Sequence, residues 1–355
     1  MRTAIIVRLL AAGVAFAVVA YLGIGVLGNF STDAAAASWA LIAAIGLLVA
    51  FAAYAAVEWL QTRRLDSIGR QFDTRTIVLM PLAIALNIVL GAAVGNALKV
   101  PVYLDSIGTI LVGVLAGPIP GALTGLLSNL LWTYVMPPPF QNGPAAAFAI
   151  VAAVIGLLAG LFGRLGFVRP RPDRPLPQLL AAGSVAVALV GLLALYAYTR
   201  FYTSAFQLFS GNPHLHPVFA ILGWLVVVLG ALAVLGLFAL LVVRRDLTVA
   251  HVTVAGVATG VIAALISAPI SANLFGGVTG AGTDFVVAAF RQAGSDIQAA
   301  TFQQGLLSDP VDKLLTFFIV YLIVQAMSRR LVARFPQGER VVARDDDSLI
   351  VEAVG

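Results

Sequence analysis

The chain contains no cysteine. That excludes a disulfide framework, a thiolate metal site and a cysteine nucleophile. Charge is almost as scarce. Only 10% of the 355 residues are Asp, Glu, Lys or Arg, where a soluble domain carries about 25%. Lysine occurs only as Lys99 and Lys313, and histidine only as His214, His216 and His251. The His214-x-His216 pair has metal-ligand spacing, but no carboxylate lies near it in sequence, and a solvated loop is the simpler reading. No G-x-x-x-x-G-K-[ST] phosphate loop, H-E-x-x-H or G-x-S-x-G motif is present. The chain therefore carries no P-loop ATPase of its own. No catalytic residue, cofactor or metal ligand is assigned.

What fills the chain is apolar. Hydrophobic residues make up 61% and the mean hydropathy is +1.01. The natural solvent for such a chain is lipid, where a helical span needs roughly 20 mostly apolar residues. Ten apolar segments follow, at about 9–28, 39–60, 76–98, 103–117, 119–136, 145–163, 179–200, 217–243, 250–270 and 311–328. Polar and proline-rich breakers separate them, such as MPPPFQNGP at 136–144 and RPRPDRPLPQ at 169–178. The expected fold class is an all-α, polytopic helical membrane protein of about ten spans.

The net charge of +5 then reports topology rather than nucleic-acid binding. With a cytoplasmic N-terminus and a crossing at every segment, 17 of the 21 basic residues fall inside. Only Lys99, Arg200, Arg291 and Lys313 fall outside. This follows the positive-inside rule and places both termini in the cytoplasm. Almost every base is Arg, and Ala and Gly are abundant, which suggests a GC-rich bacterial genome, and the expected location is the bacterial cytoplasmic membrane. The first segment can also be read as a signal peptide, although its apolar run exceeds the usual 7–15 residues. Trp39 and Trp59 bracket the second segment as an interfacial aromatic belt does.

Two stretches carry functional information. In the first, 83–135, Ala83, Asn87, Gly91 and Gly95 recur four apart on one helical face, and Ala93 and Ala97 extend the small-residue pattern. Small residues let helices approach closely in lipid, either within one protein or against a membrane partner. Tyr103 and Asp105 then open an apolar helix, with Ser106 and Thr109 beside them. Asp105 is placed either to cap that helix or to contact a substrate. Ser128, Asn129 and Trp132 follow in the fifth segment. The Asn129 amide needs protein or a cavity around it, and Trp132 offers an aromatic face.

The second stretch, 266–313, holds Gly276, Gly277, Gly280 and Gly282 with Ser271, Asn273, Thr279, Thr283 and Asp284 beside them. Residues 284–305 read as an amphipathic surface helix. The stretch is too long for a mere connector and reads as a lid over a site or as a plug packed on the bundle.

The block P-V-Y-L-D-S-I-G-T at 101–109, with G-P-I-P-G at 117–121 and S-N at 128–129, resembles the S components of energy-coupling factor (ECF) transporters. So does S-A-P-I-S-A-N-L-F-G-G-V-T-G-A-G-T-D at 267–284, with D-P-V-D-K at 309–313. The resemblance covers about 76–167 and 250–330. It implies a six-helix core formed by segments three to six, nine and ten, with a substrate site near the outer face under the loops 99–104, 137–144 and 271–310. Two helices precede that core and two interrupt it, which ordinary S components lack. The implied organisation is 1–75, two extra spans and a basic inner loop; 76–167, the first part of the core; 168–249, an inserted two-span hairpin; 250–330, the second part of the core with its lid at 271–310; and 331–355, a cytoplasmic tail.

The resemblance further implies a substrate-binding subunit for a vitamin or similar nutrient, docking in the bilayer on a T component powered by two ATPase subunits. Nickel and cobalt members use an N-terminal His, whereas position 2 here is Arg, so no metal cargo is expected. The expected ligand contacts are Tyr103, Asp105, Ser106, Thr109, Asn129, Trp132, Asn273, Thr279, Thr283 and Asp284. The expected docking contacts are Ala83, Gly91, Ala93, Gly95 and Ala97. No nucleic-acid partner is expected. The same residues also fit a membrane-embedded sensor, or a carrier driven by an ion gradient.

Overall fold

The computed structural model describes residues 2–26, 35–98, 102–138, 140–172, 174–200 and 245–342, with five single positions between 228 and 243. The eighth predicted segment, Lys99 and the His214/His216 pair lie outside these or rest on isolated positions only. Among the described residues there are thirteen α-helices and no strand.

Helices α1 (Arg2–Val26) and α2 (Ala35–Thr62) pack on each other. A one-turn helix, α3 (Asp66–Gly69), leads to α4 (Thr74–Gly91), whose N-terminus is capped by the Asp73 carboxylate accepting from the Thr76 N–H at 2.8 Å. Helix α4 ends in a widened turn over Ala92–Ala97 with i→i+5 bonding. Helix α5 (Ile107–Ala116) is followed by Gly117 at φ 136°, a backbone shape that disfavours a side chain, and Pro118 then starts α6 (Pro118–Tyr134). A 3₁₀ turn (Gly143–Phe148) runs into α7 (Ala149–Arg164), and α8 (Leu176–Arg200) follows. The C-terminal half holds α9 (Thr248–Phe275), α10 (Asp284–Gln292), α11 (Ile297–Ala326) and the one-turn helices α12 (Arg329–Val332) and α13 (Gly338–Val341).

Among the described residues, five stretches are long and apolar enough to cross a membrane: Val7–Gly25, Thr74–Gly95, Gly143–Arg164, Leu176–Tyr196 and Thr248–Phe275. Helices α1, α4 and α8 present bare apolar side chains such as Leu10, Val14, Val78, Leu82, Leu192 and Leu195. Water would penalise that surface, and lipid does not. The chain is an all-helical membrane protein. The predicted fourth segment is the ten-residue α5, which rises only about 15 Å, half of a hydrocarbon core of about 30 Å. Every one of its residues is buried. It is a central strut wrapped by protein rather than a lipid-facing span.

Helices α4, α5, α6, α7, α9 and α11 contact one another around α5. Glycine sets the close crossings. A methyl at Gly113 or Gly121 would strike the Gly156 carbonyl, and one at Gly260 would strike the backbone of Asp309 and Pro310. Helices α2 and α8 lie against α9. Residues 329–342 are not a free tail. Phe335 and Val341 are buried in the core, and the Gln337 N–H donates to the Leu115 carbonyl at 2.9 Å.

The 271–310 region is a helical hairpin rather than an open loop. Helix α9 runs on to Phe275, where Gly276 takes the left-handed conformation that ends it. The expected single helix over 284–305 is broken by Gly294 at φ 94°, and Asp296 caps the restart by accepting from the Ala299 N–H at 2.8 Å. Val286, Val287 and Phe290 of α10 bury themselves against Ala300 and Leu307 of α11.

Candidate functional site

A cavity of about 110 Å³ lies at one end of this bundle. The C-terminal ends of α4 and α6, the N-terminal ends of α5 and α7, the second half of α9, the 276–283 turn and the middle of α11 all face it. Its walls mix apolar and aromatic side chains (Trp132, Phe148, Val151, Ile155) with polar ones (Tyr103, Asn129, Ser267, Ser271). Backbone irregularities surround it. Pro269 interrupts α9 and Pro310 interrupts α11, so the Leu265 and Leu306 carbonyls lose their helical donors, and the widened turn that ends α4 brings Gly95 to the cavity.

Helix α11 brings charge to this cavity. Asp309, Asp312 and Lys313 are buried on it, three and four residues apart on one face. Lys313 Nζ lies 2.5 Å from Asp312 Oδ2 and 3.7 Å from Asp105 Oδ1, and donates to Ser106 Oγ at 2.8 Å. Asp312 Oδ1 accepts the backbone N–H groups of Tyr103 at 3.0 Å and Leu104 at 2.9 Å. That double acceptance holds Leu104 in the left-handed region, at φ 51°. The stretch before α5 is therefore moored to α11 through one carboxylate. Asp309 Oδ2 accepts from Ser267 Oγ of α9 at 3.1 Å.

Six of the ten expected ligand contacts line the cavity: Tyr103, Asp105, Ser106, Asn129, Trp132 and Thr279. Trp132 is fixed by donating Nε1–H to the Phe140 carbonyl at 2.9 Å. Tyr103 is fixed by a 2.8 Å hydroxyl bond with Thr283. Asp105 makes no helix cap; its carboxylate turns to Lys313 instead.

Four of the ten belong elsewhere. Thr109 accepts from Asn87 Nδ2 at 2.8 Å in a buried network that also includes Ser128. Thr283 supports Tyr103 from outside the cavity. Asn273 bonds the Pro269 carbonyl and Gln298. Asp284 accepts from Thr279 N–H and Oγ1 and from Gly280 N–H at 2.7–3.0 Å, which clamps its own turn. Asp105 and Asp284 therefore do not share one cavity.

The expected docking face is largely occupied from within. Ala83 is buried against Gly108 of α5. Gly91 is packed so closely that a methyl there would come within 2.5 Å of the Trp132 ring and 2.9 Å of Asp105 Cβ. Gly95 lines the cavity, and its carbonyl accepts from Gly282 N–H at 3.3 Å. Only Ala93 and Ala97 are exposed.

Sequence reasoning missed Asp309 and Lys313 as lining residues, and it counted Lys313 as an outer loop base. The available signal was their helical spacing with Asp312. These features define a helical membrane protein with a charged, aromatic-walled cavity inside its bundle. Compared with family models, curated proteins and solved structures, the chain matches none.

Proposed function

We propose that the chain is a membrane-embedded capture protein for a small solute, acting as the substrate-binding subunit of an ATP-driven importer of the ECF kind. The observation that carries the capture reading is the cavity itself, where six residues chosen from sequence meet Asp309 and Lys313. Ionisable groups at membrane depth are costly and mark solute or ion pathways. Under the charge-based topology the cavity end is the outer end, below the turns 137–144 and 276–283. The importer reading rests on the motif resemblance and on the missing phosphate loop, which requires a partner to supply ATP hydrolysis. Ala93 and Ala97, with the exposed side of α4 around them, are where a membrane partner would dock.

A second reading has its own support. Proline-interrupted helices beside a buried ion cluster suit a carrier driven by an ion gradient. Purification of the tagged protein from its source membrane in mild detergent, with mass spectrometry of proteins and small molecules, separates these. Co-purifying ATPases with a second polytopic protein support the importer. A kinase in their place makes the chain a sensor. A retained solute with no protein partner, together with uptake abolished by a protonophore, makes it a carrier.

A further inference from the structure

We infer that the cavity takes an organic cation, a small solute whose positively charged nitrogen sits at Asp309 and whose body packs among Trp132, Phe148 and Val151. This rests on the capture reading and adds the charge class of the solute.

Charge balance is the first support. Three carboxylates, Asp105, Asp309 and Asp312, surround one base, Lys313. The ammonium is engaged elsewhere: it donates to Asp312 Oδ2 and Ser106 Oγ, and Asp105 Oδ1 lies 3.7 Å away as an ion pair. Among the described residues no base forms an ion pair with Asp309. Among the described residues its hydrogen bonding is a single contact from Ser267 to one oxygen, although the residue is only 6% exposed and lines the cavity. Burying a carboxylate without a cation is costly. A cationic solute answers that cost, and an anionic one aggravates it.

Uncommitted polar groups aimed at the same space are the second support. Asn129 is 7% exposed and lines the cavity, and among the described residues its amide has no hydrogen-bond partner. Ser271, 8% exposed, also lines the cavity, and its hydroxyl has no partner among the described residues. Both groups border the cavity, where a bound ligand can meet them. An Asn amide both donates and accepts, which suits a polar heteroatom on the solute body.

Aromatic walls are the third. The Trp132 and Phe148 rings and the Tyr103 side chain border the cavity, and aromatic faces attract cations. Among the described residues, no group of three His, Cys, Asp or Glu converges to hold a metal ion. An onium nitrogen therefore suits this site better than a bare divalent cation.

The test uses the purified full chain in nanodiscs at neutral pH, with benzylammonium, benzyl alcohol and benzoate as ring-matched probes. Thermal unfolding and tryptophan fluorescence are the readouts. Benzylammonium is expected to stabilise the protein at concentrations at least tenfold lower than benzyl alcohol, and benzoate not at all. Asp309→Asn is expected to melt at or above the wild-type temperature before any probe is added, because it removes an unbalanced charge. It should also lose the benzylammonium response at least tenfold. Asn129→Ala leaves the charge in place and should weaken all binding while keeping the order of the three probes. Equal responses to benzylammonium and benzyl alcohol, a preference for benzoate, or an unaltered response in Asp309→Asn overturns the inference. So does sodium ion alone matching benzylammonium. A neutral or anionic solute recovered in the membrane purification overturns the charge class but keeps the capture reading. Recovery of no solute, with no response to any probe, sinks the capture reading itself.

Discussion

Removing Asp312 should separate two jobs that one carboxylate performs. Its Oδ2 neutralises Lys313 at 2.5 Å, and its Oδ1 holds the Tyr103 and Leu104 N–H groups. Breaking a buried ion pair by deleting one partner costs about 3–5 kcal/mol. Each backbone donor left buried and unpaired adds about 1–3 kcal/mol. Asp312→Ala loses both contributions and is expected to cost about 5 kcal/mol or more. Asp312→Asn keeps one carbonyl oxygen for the two N–H groups and loses only the charge, for about 3 kcal/mol. Lys313→Met alone leaves three carboxylates without their base and should cost about 3–5 kcal/mol. Asp312→Asn with Lys313→Met removes both members of the closest pair and leaves only Asp105 and Asp309 without a base, so the double variant should be less destabilised than the sum by about 2 kcal/mol. Unfolding in mixed micelles with increasing sodium dodecyl sulfate, followed by helical circular dichroism, measures all four proteins. Additive costs, within about 0.5 kcal/mol, would refute the coupling. An Asp312→Asn as damaging as Asp312→Ala would refute the division of labour.

Two further perturbations test the scaffold away from the cavity. Asn87 spends its whole amide on α5 and α6, donating to Thr109 and Ser128 and accepting from the Gly108 N–H at 2.7–2.9 Å. Asn87→Ala orphans that N–H and should cost about 3 kcal/mol in the same unfolding assay, with the order of probe affinities unchanged. Glu58 is buried against Arg8 at 2.9 Å and also accepts from Ser67 N–H and Oγ, so it binds α1 and the turn after α2 together. Glu58→Ala should lower stability by about 3–5 kcal/mol without changing the benzylammonium response. Lost binding at an unchanged melting temperature would contradict its structural role.

Membrane class and segment positions were legible because lipid leaves the chain little choice. Backbone polar groups must be satisfied within helices, and that demands long apolar runs. The helices observed at Thr74–Gly91, Pro118–Tyr134, Leu176–Arg200 and Thr248–Phe275 fall where those runs predict them. Tyr103, Asp105, Asn129 and Trp132 were legible for the complementary reason: polar groups at membrane depth need a purpose. Asp284, expected as a ligand contact, bonds within its own turn instead. An aspartate five residues past Thr279 can serve its own turn, and sequence alone does not say whether a carboxylate looks inward or back along the chain.

The charges of α11 were hidden from the sequence by the way they pair. Hydropathy treats D-P-V-D-K as a break, so the last span was started at 311 and Lys313 was counted as an outer base. The structure carries helix α11 through that break, because Asp312 and Lys313 cancel each other and Gly260 lets the Asp309–Pro310 backbone lie directly against α9. A charge pair hidden inside a bundle looks like a loop to any average over single residues. Its signature is the spacing, since 309, 312 and 313 share one face of a helix. Two of the three charges cancel, and Asp105 sits at ion-pair distance, 3.7 Å, from the same ammonium. Asp309 is the residue this accounting leaves over, and it is also the one that faces the cavity beside the unbonded amide of Asn129. A structural ion cluster that served folding alone would gain nothing from that surplus, whereas a site that waits for a cation requires it.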